Sequence, residues 1–500
     1  MQNPLSSCLR LCWFAVLLVA AGCTETNENA SPIRFGLATA PVTLDPRFAT
    51  DATSARVNRL IYARLVDFDH TLRPAPSLAT WSKLSSIHYR FTLRDGRRAF
   101  SHGRPVTAAD VKATYDAVLN PEQGSPHRVS LKDVTAIEVV DDQTVDFRLG
   151  APDLLFPGKL VIGIMPAELL EQGHPFNTRP IGSGPFAFVD WTQEGLLRLR
   201  RLKDEQSFEL LRVADPNTRV LKILNDELDL LQGDLAPEIV DWLSKREGVE
   251  IARGRGTKFA YLGFNLDDPV VGDVRVRRAI AHAVDRATII RHVMGAAARP
   301  AASILTPSHW AGAPDLEQIP FDLAESRRLL KAAGYDDSRR PHIIYKTSAA
   351  PFRIRLATII QAQLARAGFD VEVQSNDWGT FYGDVKAGRF QMYSLAWVGI
   401  KMPDIFRYVF HSDSIPPGGA NRGRLRDPMI DQLIERAERA PTLEGQARLY
   451  RELQHRVHTA LPYVPLWYED NVRVSRPGVE GYRLNTDGNY DGLKVVGRSG

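Results

Sequence analysis

The sequence predicts an α/β fold divided into two or three lobes with a cleft between them. Three observations carry this. The chain has 500 residues, more than one hydrophobic core organises. Stretches with helical and strand periodicity alternate along its second half. Apolar residues make up 44% and charged residues 24%, the balance of an ordinary folded domain. The 63 basic and 59 acidic side chains nearly cancel, leaving +4. With no basic run interleaved with aromatics, nothing makes a case for a nucleic-acid partner, and none is expected.

The N-terminus comes first. Arg10 precedes the apolar run Leu11 to Ala21, which is shorter than the ~20 residues of a membrane-spanning helix. It reads as a signal peptide over residues 1–22, closed by Ala20, Ala21 and Gly22. Small residues directly before Cys23 resemble a bacterial lipobox, which makes Cys23 the lipidated first residue of the mature chain. The three cysteines are Cys8, Cys12 and Cys23, so removing the signal leaves one thiol, with no disulfide and no cysteine metal site. Residues 23–31, polar from Thr24 to Ser31 apart from Ala30, form a tether.

Ile33 to Leu37 is the first strand, and Leu44-Asp45-Pro46 turns into a helix from about Ser54. Tyr89 to Leu93 alternates as a strand before the turn Arg94-Asp95-Gly96. Thr107 and Asp110 have capping-box spacing, with Val111, Tyr115 and Val118 on one helical face. Val134 to Val140 and Thr144 to Leu149 are strands joined at Asp141-Asp142. Asp273 to Ala283 is a helix capped by Asp273, with Arg275, Arg277 and Arg278 on its polar faces. His342 to Lys346, Phe352 to Ala367 and Phe369 to Val373 form a βαβ unit closed at Gly368, implying a parallel pair. Ile430, Leu433, Ile434 and Ala437 mark one late helix. Tyr450, Leu453 and Val457 mark another, stopped by Pro462.

Catalytic signatures are missing. Gly182-Ser183-Gly184-Pro185 lacks the spacing of a nucleophile elbow. Gly254-Arg255-Gly256-Thr257-Lys258 lacks the order of a phosphate loop and reads as a flexible, basic turn between strands. His455 and His458 have no third ligand at local spacing. No catalytic residue, metal or cofactor is expected.

Four stretches then identify a resemblance. Thr43-Leu44-Asp45-Pro46 precedes a helix and Leu65-Val66-Asp67. Trp81 to Asp110 holds Tyr89-Arg90-Phe91-Thr92-Leu93-Arg94-Asp95-Gly96 and ends in Pro105-Val106-Thr107-Ala108-Ala109-Asp110. Ile181-Gly182-Ser183-Gly184-Pro185-Phe186 is the third. Phe264-Asn265-Leu266, Asp273 to Ile280 and Asp285-Arg286 make the fourth. In this order they resemble the family 5 extracellular solute-binding proteins, the oligopeptide-, dipeptide- and nickel-binding components of ABC importers.

The resemblance implies a periplasmic-binding-protein-like fold: two main lobes, an inserted third lobe and a ligand cleft. The first lobe is expected over residues 31–60, 179–255 and 462–500, the inserted lobe over 61–178, and the opposing lobe over 256–461. It implies a lipid-anchored monomer in the bacterial cell envelope, facing the periplasm. Its partners are a peptide or peptide-like solute and the permease and ATPase subunits. Other solutes (nickel complexes, opines, cell-wall peptides) and a sensor or chaperone role stay open.

In many peptide binders of this family a tryptophan is followed three residues on by an aspartate that pairs the peptide amine. Here Trp397 is followed by Ile400. Asp404 either replaces that aspartate or caps a helix over Ile405 to Val409. Trp397 is an aromatic wall or core, and Arg422 a carboxylate partner or a solvated loop charge. The expected ligand-binding set is Thr43, Asn265, Trp397, Gly399, Asp404, Asn421 and Arg422. Trp378, Phe381 and Tyr382 either add cleft surface or, as their helical spacing favours, pack in the core.

Overall fold

The computed structural model describes residues 31–96, 99–295 and 297–499. The signal segment expected over 1–22, Cys23 and the tether before Ser31 lie outside the described residues.

One large sheet runs through the molecule. In chain order its strands are β1 (Ile33–Leu37), β2 (Phe186–Trp191), β3 (Leu196–Arg201), β4 (Ser207–Arg212), β5 (Leu230–Gln232), β6 (Glu250–Phe264), β7 (His342–Ser348), β8 (Asp370–Asn376), β9 (Met392–Trp397) and β10 (Tyr463–Ser475). Side by side they lie as β8-β7-β9-β6-β10-β5-β1-β4-β3-β2, with Ala298–Pro300 pairing β10 off this path. In the first lobe the period of two sends Leu197, Leu199, Phe208 and Leu210 into the core. The helix α1 (Ala52–Ile61) joins them, started by Asp51, whose carboxylate accepts from the Ser54 N–H.

The inserted lobe is a separate antiparallel sheet, ordered Ala79–Ser85, His88–Leu93, Thr144–Leu149, Val134–Val139. The helix α2 (Ala108–Leu119) begins with the expected capping box between Thr107 and Asp110. It closes over Phe91, Phe147 and Phe156.

In the opposing lobe α3 (Val274–Ala283) starts at Asp273 as expected. Arg277, expected on a polar face, is instead 4% exposed and donates to the carbonyls of Val271, Gly272, Ala460 and Leu461. The helix end it meets has carbonyls without intrahelical partners, which buried guanidinium donors satisfy. The βαβ unit forms as read: β7 and β8 pair in parallel across α4 (Pro351–Ala367), which stops at Gly368 with φ 106°. Further along the chain come α5 (Trp378–Ala387), α6 (Ile405–Phe410), α7 (Pro428–Arg439) and α8 (Leu443–Ala460).

The two long strands join the lobes. Glu250 to Gly254 of β6 pair with Asn471 to Ser475 of β10, beside β5, whereas Lys258 to Gly263 pair with Tyr463 to Glu469, beside β9. The register jumps between Gly254 and Lys258. The stretch read as a flexible turn is therefore a bulge inside a continuous strand. Because β10 runs on through Glu469, Asp470 and Asn471, the surplus residues of β6 bulge out while pairing resumes. A Cβ on Gly256 would sit 2.1 Å from the Glu469 carbonyl oxygen. On β10 the shift falls between Glu469 and Asn471.

The lobes meet away from these strands. Lys401 reaches Asp487 at 2.7 Å and Arg355 reaches Glu238 at 2.8 Å. Met402 lies so close to Gly158 of the inserted lobe that a Cβ there would meet Sδ at 2.3 Å. Burial pushes the Asp487 carboxyl up, and the Lys401 ammonium outweighs it, bringing the group down to about 2.

Candidate ligand site

The strand β9 is half covered. β7 pairs with it only at Tyr345↔Met392 and Lys346↔Tyr393; β7 itself runs on to Ser348, paired with β8, before Pro351 begins α4. Leu395, Ala396 and Trp397 pair on the β6 side alone, opposite Tyr261, Ala260 and Phe259. The other side presents unpaired backbone donors and acceptors, the template to which an extended peptide adds as a strand.

A cavity of about 220 Å³ straddles this edge, with Ser348, Ser394, Trp378 and Trp467 among its walls. Lys258 and Arg353 also line it and flank Glu469: the ammonium stands 2.6 Å from one carboxylate oxygen, and the guanidinium 2.9 and 3.4 Å from the two oxygens. Burial raises the Glu469 carboxyl, but these cations hold it well below the usual carboxylate range. Trp378 is 59% exposed at the cavity mouth, not in the core that its spacing favours. It opens α5 and stacks on Tyr382, centroids 5.3 Å apart, while Phe381 takes the buried position. A larger cavity of about 450 Å³ lies between the first and inserted lobes. There Asp67 binds Arg59 and Arg64, and Asp491 binds Arg59 and Lys494.

The expected site residues separate into two groups. Arg422 is buried, 7% exposed, so it is no solvated loop charge. Its guanidinium carbon lies 5.0 Å from the Trp397 ring centroid and 5.2 Å from that of Tyr382, and it donates to the Tyr382 hydroxyl at 3.0 Å. Burial works against its charge, yet the neighbouring Tyr261, Tyr393 and Tyr463 outweigh it and raise the pKa. The hydroxyls of those three tyrosines and the Trp397 indole N–H are buried without hydrogen-bond partners. Trp397 itself is half-buried.

Asn421 is occupied internally: its amide donates to the His411 and Leu425 carbonyls and accepts from the Leu425 N–H. Thr43 accepts from the Asp45 N–H in the turn leading to α1. Asn265 donates to the Gly388 carbonyl and accepts from the Asp267 N–H. Gly399 is exposed with φ 74°, just past β9. Asp404 precedes α6 without a side-chain capping bond. Burial raises its carboxyl, opposed by Lys159 of the inserted lobe. Ile400 is buried among apolar neighbours that include Met402 and Phe406.

Sequence reasoning missed Lys258, Arg353, Glu469 and Trp467. Lys258 fell inside the misread turn; no local signal marks the others, which converge only through pairing of β6 with β10. Elsewhere His455 pairs with Asp315 at 3.0 Å. Among the described residues no cluster of three or more metal-ligating side chains occurs, and no helix is long and apolar enough to cross a membrane.

Two lobes joined by two strands around a lined, strand-shaped edge define a binding protein of the hinged, solute-capturing class. Residues 73–415, more than half of the chain, match the bacterial extracellular solute-binding proteins, family 5 Middle, and the chain belongs to that family. It is 29% identical over 474 residues to the probable di/tripeptide-binding protein 5 of Pseudomonas aeruginosa, covering 87% of this chain and 89% of the relative. It is 27% identical to heme-binding protein A of Haemophilus influenzae, covering 97% and 98%. The fold matches the substrate-binding protein CtaP of Listeria monocytogenes with a TM-score of 0.85 at 22% identity, covering 94% of this chain and all of that one.

Proposed function

We propose that this chain is the receptor of an ABC importer, which closes on a peptide or peptide-like solute and passes it, chemically unchanged, to a membrane permease. The open edge of β9, at the cleft side of a lobe that swings on two strands, carries this reading. A peptide backbone satisfies the unpaired groups of Leu395 to Trp397, and side-chain tolerance follows because main-chain bonds supply the affinity. Trp397 and Trp378 are the aromatic walls, Gly399 follows the edge, and Asp404 faces Lys159 of the inserted lobe. The described bonds of Thr43, Asn265 and Asn421 support positioning roles. The printed function of the Pseudomonas relative, di/tripeptide binding, agrees. Ligand shifts the population of open and closed forms by binding the closed one better. Anchoring through a lipid on Cys23 in the cell envelope, and action as a monomer, belong to the same proposal.

Mass spectrometry of whatever is released on denaturing the purified chain tests it. The expected product is an intact peptide-like molecule that, when added back, reduces the radius of gyration seen by X-ray scattering. A released molecule that returns cleaved, or a scattering profile indifferent to it, overturns the reading. Labelled palmitate entering the wild-type chain but not Cys23→Ala tests the anchor.

A further inference from the structure

The cavity beside β9 is too small for a whole solute. At about 220 Å³ it falls below the roughly 300–1,000 Å³ of pockets that enclose a complete small ligand. It takes one end of a molecule whose remainder lies along the strand edge.

Its walls have two characters. Leu356, Ile360, Phe381 and Leu395 are apolar, and Trp378 adds an exposed indole at the mouth. Covering such surface is favourable by roughly 25 cal/mol per Å². The polar part is made of donors. An ammonium has three donors and a guanidinium five, and Glu469 engages only one of the first and two of the second. Trp467 lines the same space, and its buried indole N–H has no partner. Glu469, by contrast, already has both oxygens occupied. Two cations against one carboxylate leave this group of three with a charge of +1; Asp234 of the first lobe acts on Arg353 from beyond bonding distance. Glu238, on the facing first lobe, is committed to Arg355.

A protonated amine entering here meets surplus positive charge and an acceptor already engaged. A carboxylate meets free donors on three side chains. Resting on the reading of β9 as the ligand edge, we propose that this cavity selects the acidic, apolar end of its solute. It holds a terminal residue with a bulky apolar side chain against Trp378 and a free carboxylate toward Lys258, Arg353 and Trp467, and the amine plays no part in recognition there.

Calorimetry of the full chain with three probes tests this: N-acetyl-Ala-Phe, its C-terminal amide, and Ala-Phe amide, which carry charges of −1, 0 and +1. The acid is expected to bind at least tenfold tighter than the neutral amide, with the cationic amide weakest. Lys258→Met should cut the acid-to-amide ratio at least threefold, and Glu469→Gln should raise it. Should Arg353→Gln fail to fold, those two partly exposed positions still decide the point. Trp378→Ala should remove the preference for N-acetyl-Ala-Phe over N-acetyl-Ala-Ala. Equal or tighter binding of the cationic amide, or a ratio unmoved by both charge variants, overturns the selection while leaving the edge reading intact. Failure of all three probes, together with release of a solute that has no peptide-like backbone, overturns both.

Discussion

Two carboxylates in different lobes are clasped by cations, and they do opposite things. In the inserted lobe Asp110 is fully buried and accepts five bonds: two from Arg104, at 2.5 and 3.1 Å, two from Thr107, and one from the Ala167 N–H. Arg104 spends its remaining reach on Glu168. In the opposing lobe Glu469 faces two cations whose donors outnumber its demands, next to a cavity. A saturated clasp fastens the start of α2 to the loop at Arg104 and to the chain at Ala167 and Glu168. A clasp with donors left over beside open space is ready to receive something, and the difference lies in the count of unused bonds, not in residue type.

Breaking saturated clasps should therefore cost stability and leave the acid-to-amide ratio of the probes alone. The largest effect is expected from Asp110→Ala, which strands Arg104 and three backbone or hydroxyl donors. Urea unfolding should show a loss of about 3–5 kcal/mol, and a shifted ligand preference would break the comparison. Next comes acidification. His309 is spent on both ring nitrogens, Nε2 donating to the Lys401 carbonyl and Nδ1 accepting from the Ala311 N–H. Burial lowers its pKa to about 4. A depressed histidine contributes stability that is whole above its unfolded value near 6.5 and declines as pH falls toward 4. About 3 kcal/mol should be lost across that window, and His309→Gln should flatten the profile of thermal stability there.

A smaller effect is expected at the bulge. Gly256→Ala places a methyl against the Glu469 carbonyl and should cost about 2 kcal/mol, seen as a lower denaturation midpoint. An unchanged midpoint would mean that the two strands separate freely. Smallest is Lys401→Ala, which removes a partly exposed bond across the lobes. About 1 kcal/mol of preference for the closed form should go, read as a larger radius of gyration in scattering without loss of melting temperature.

Local chemistry was legible in the sequence. The capping box at Thr107, the cap at Asp273, the βαβ unit ending at Gly368 and the strands near residues 134 and 144 all arise from neighbours in the chain, and all formed as read. What escaped depended on distant partners. Gly254 to Lys258 looked like a turn because glycine and charge cluster there, yet β10 holds it in a ladder. Arg277 and Arg422 looked solvated because arginine usually is; carbonyls of a distant helix end bury the first, and aromatic rings from two other elements bury the second. Trp378 had helical spacing suited to the core, but its place on the first turn of α5 puts it at a cavity mouth. In the ligand region Trp397, Gly399, Asp404, Arg422 and the absence of an aspartate at Ile400 were visible beforehand; Lys258, Arg353, Glu469 and Trp467 were not.

The two-strand junction has one further consequence. Every residue lining the cavity, from Lys258 to Trp467, lies on the same side of the Gly254–Lys258 bulge. On the proposed peptide reading, cargo laid along that edge stays with one jaw when the two part, already drawn out as a ribbon. Unloading is then a matter of peeling a strand from its neighbour at the transporter's mouth, not of spilling contents from an opened shell.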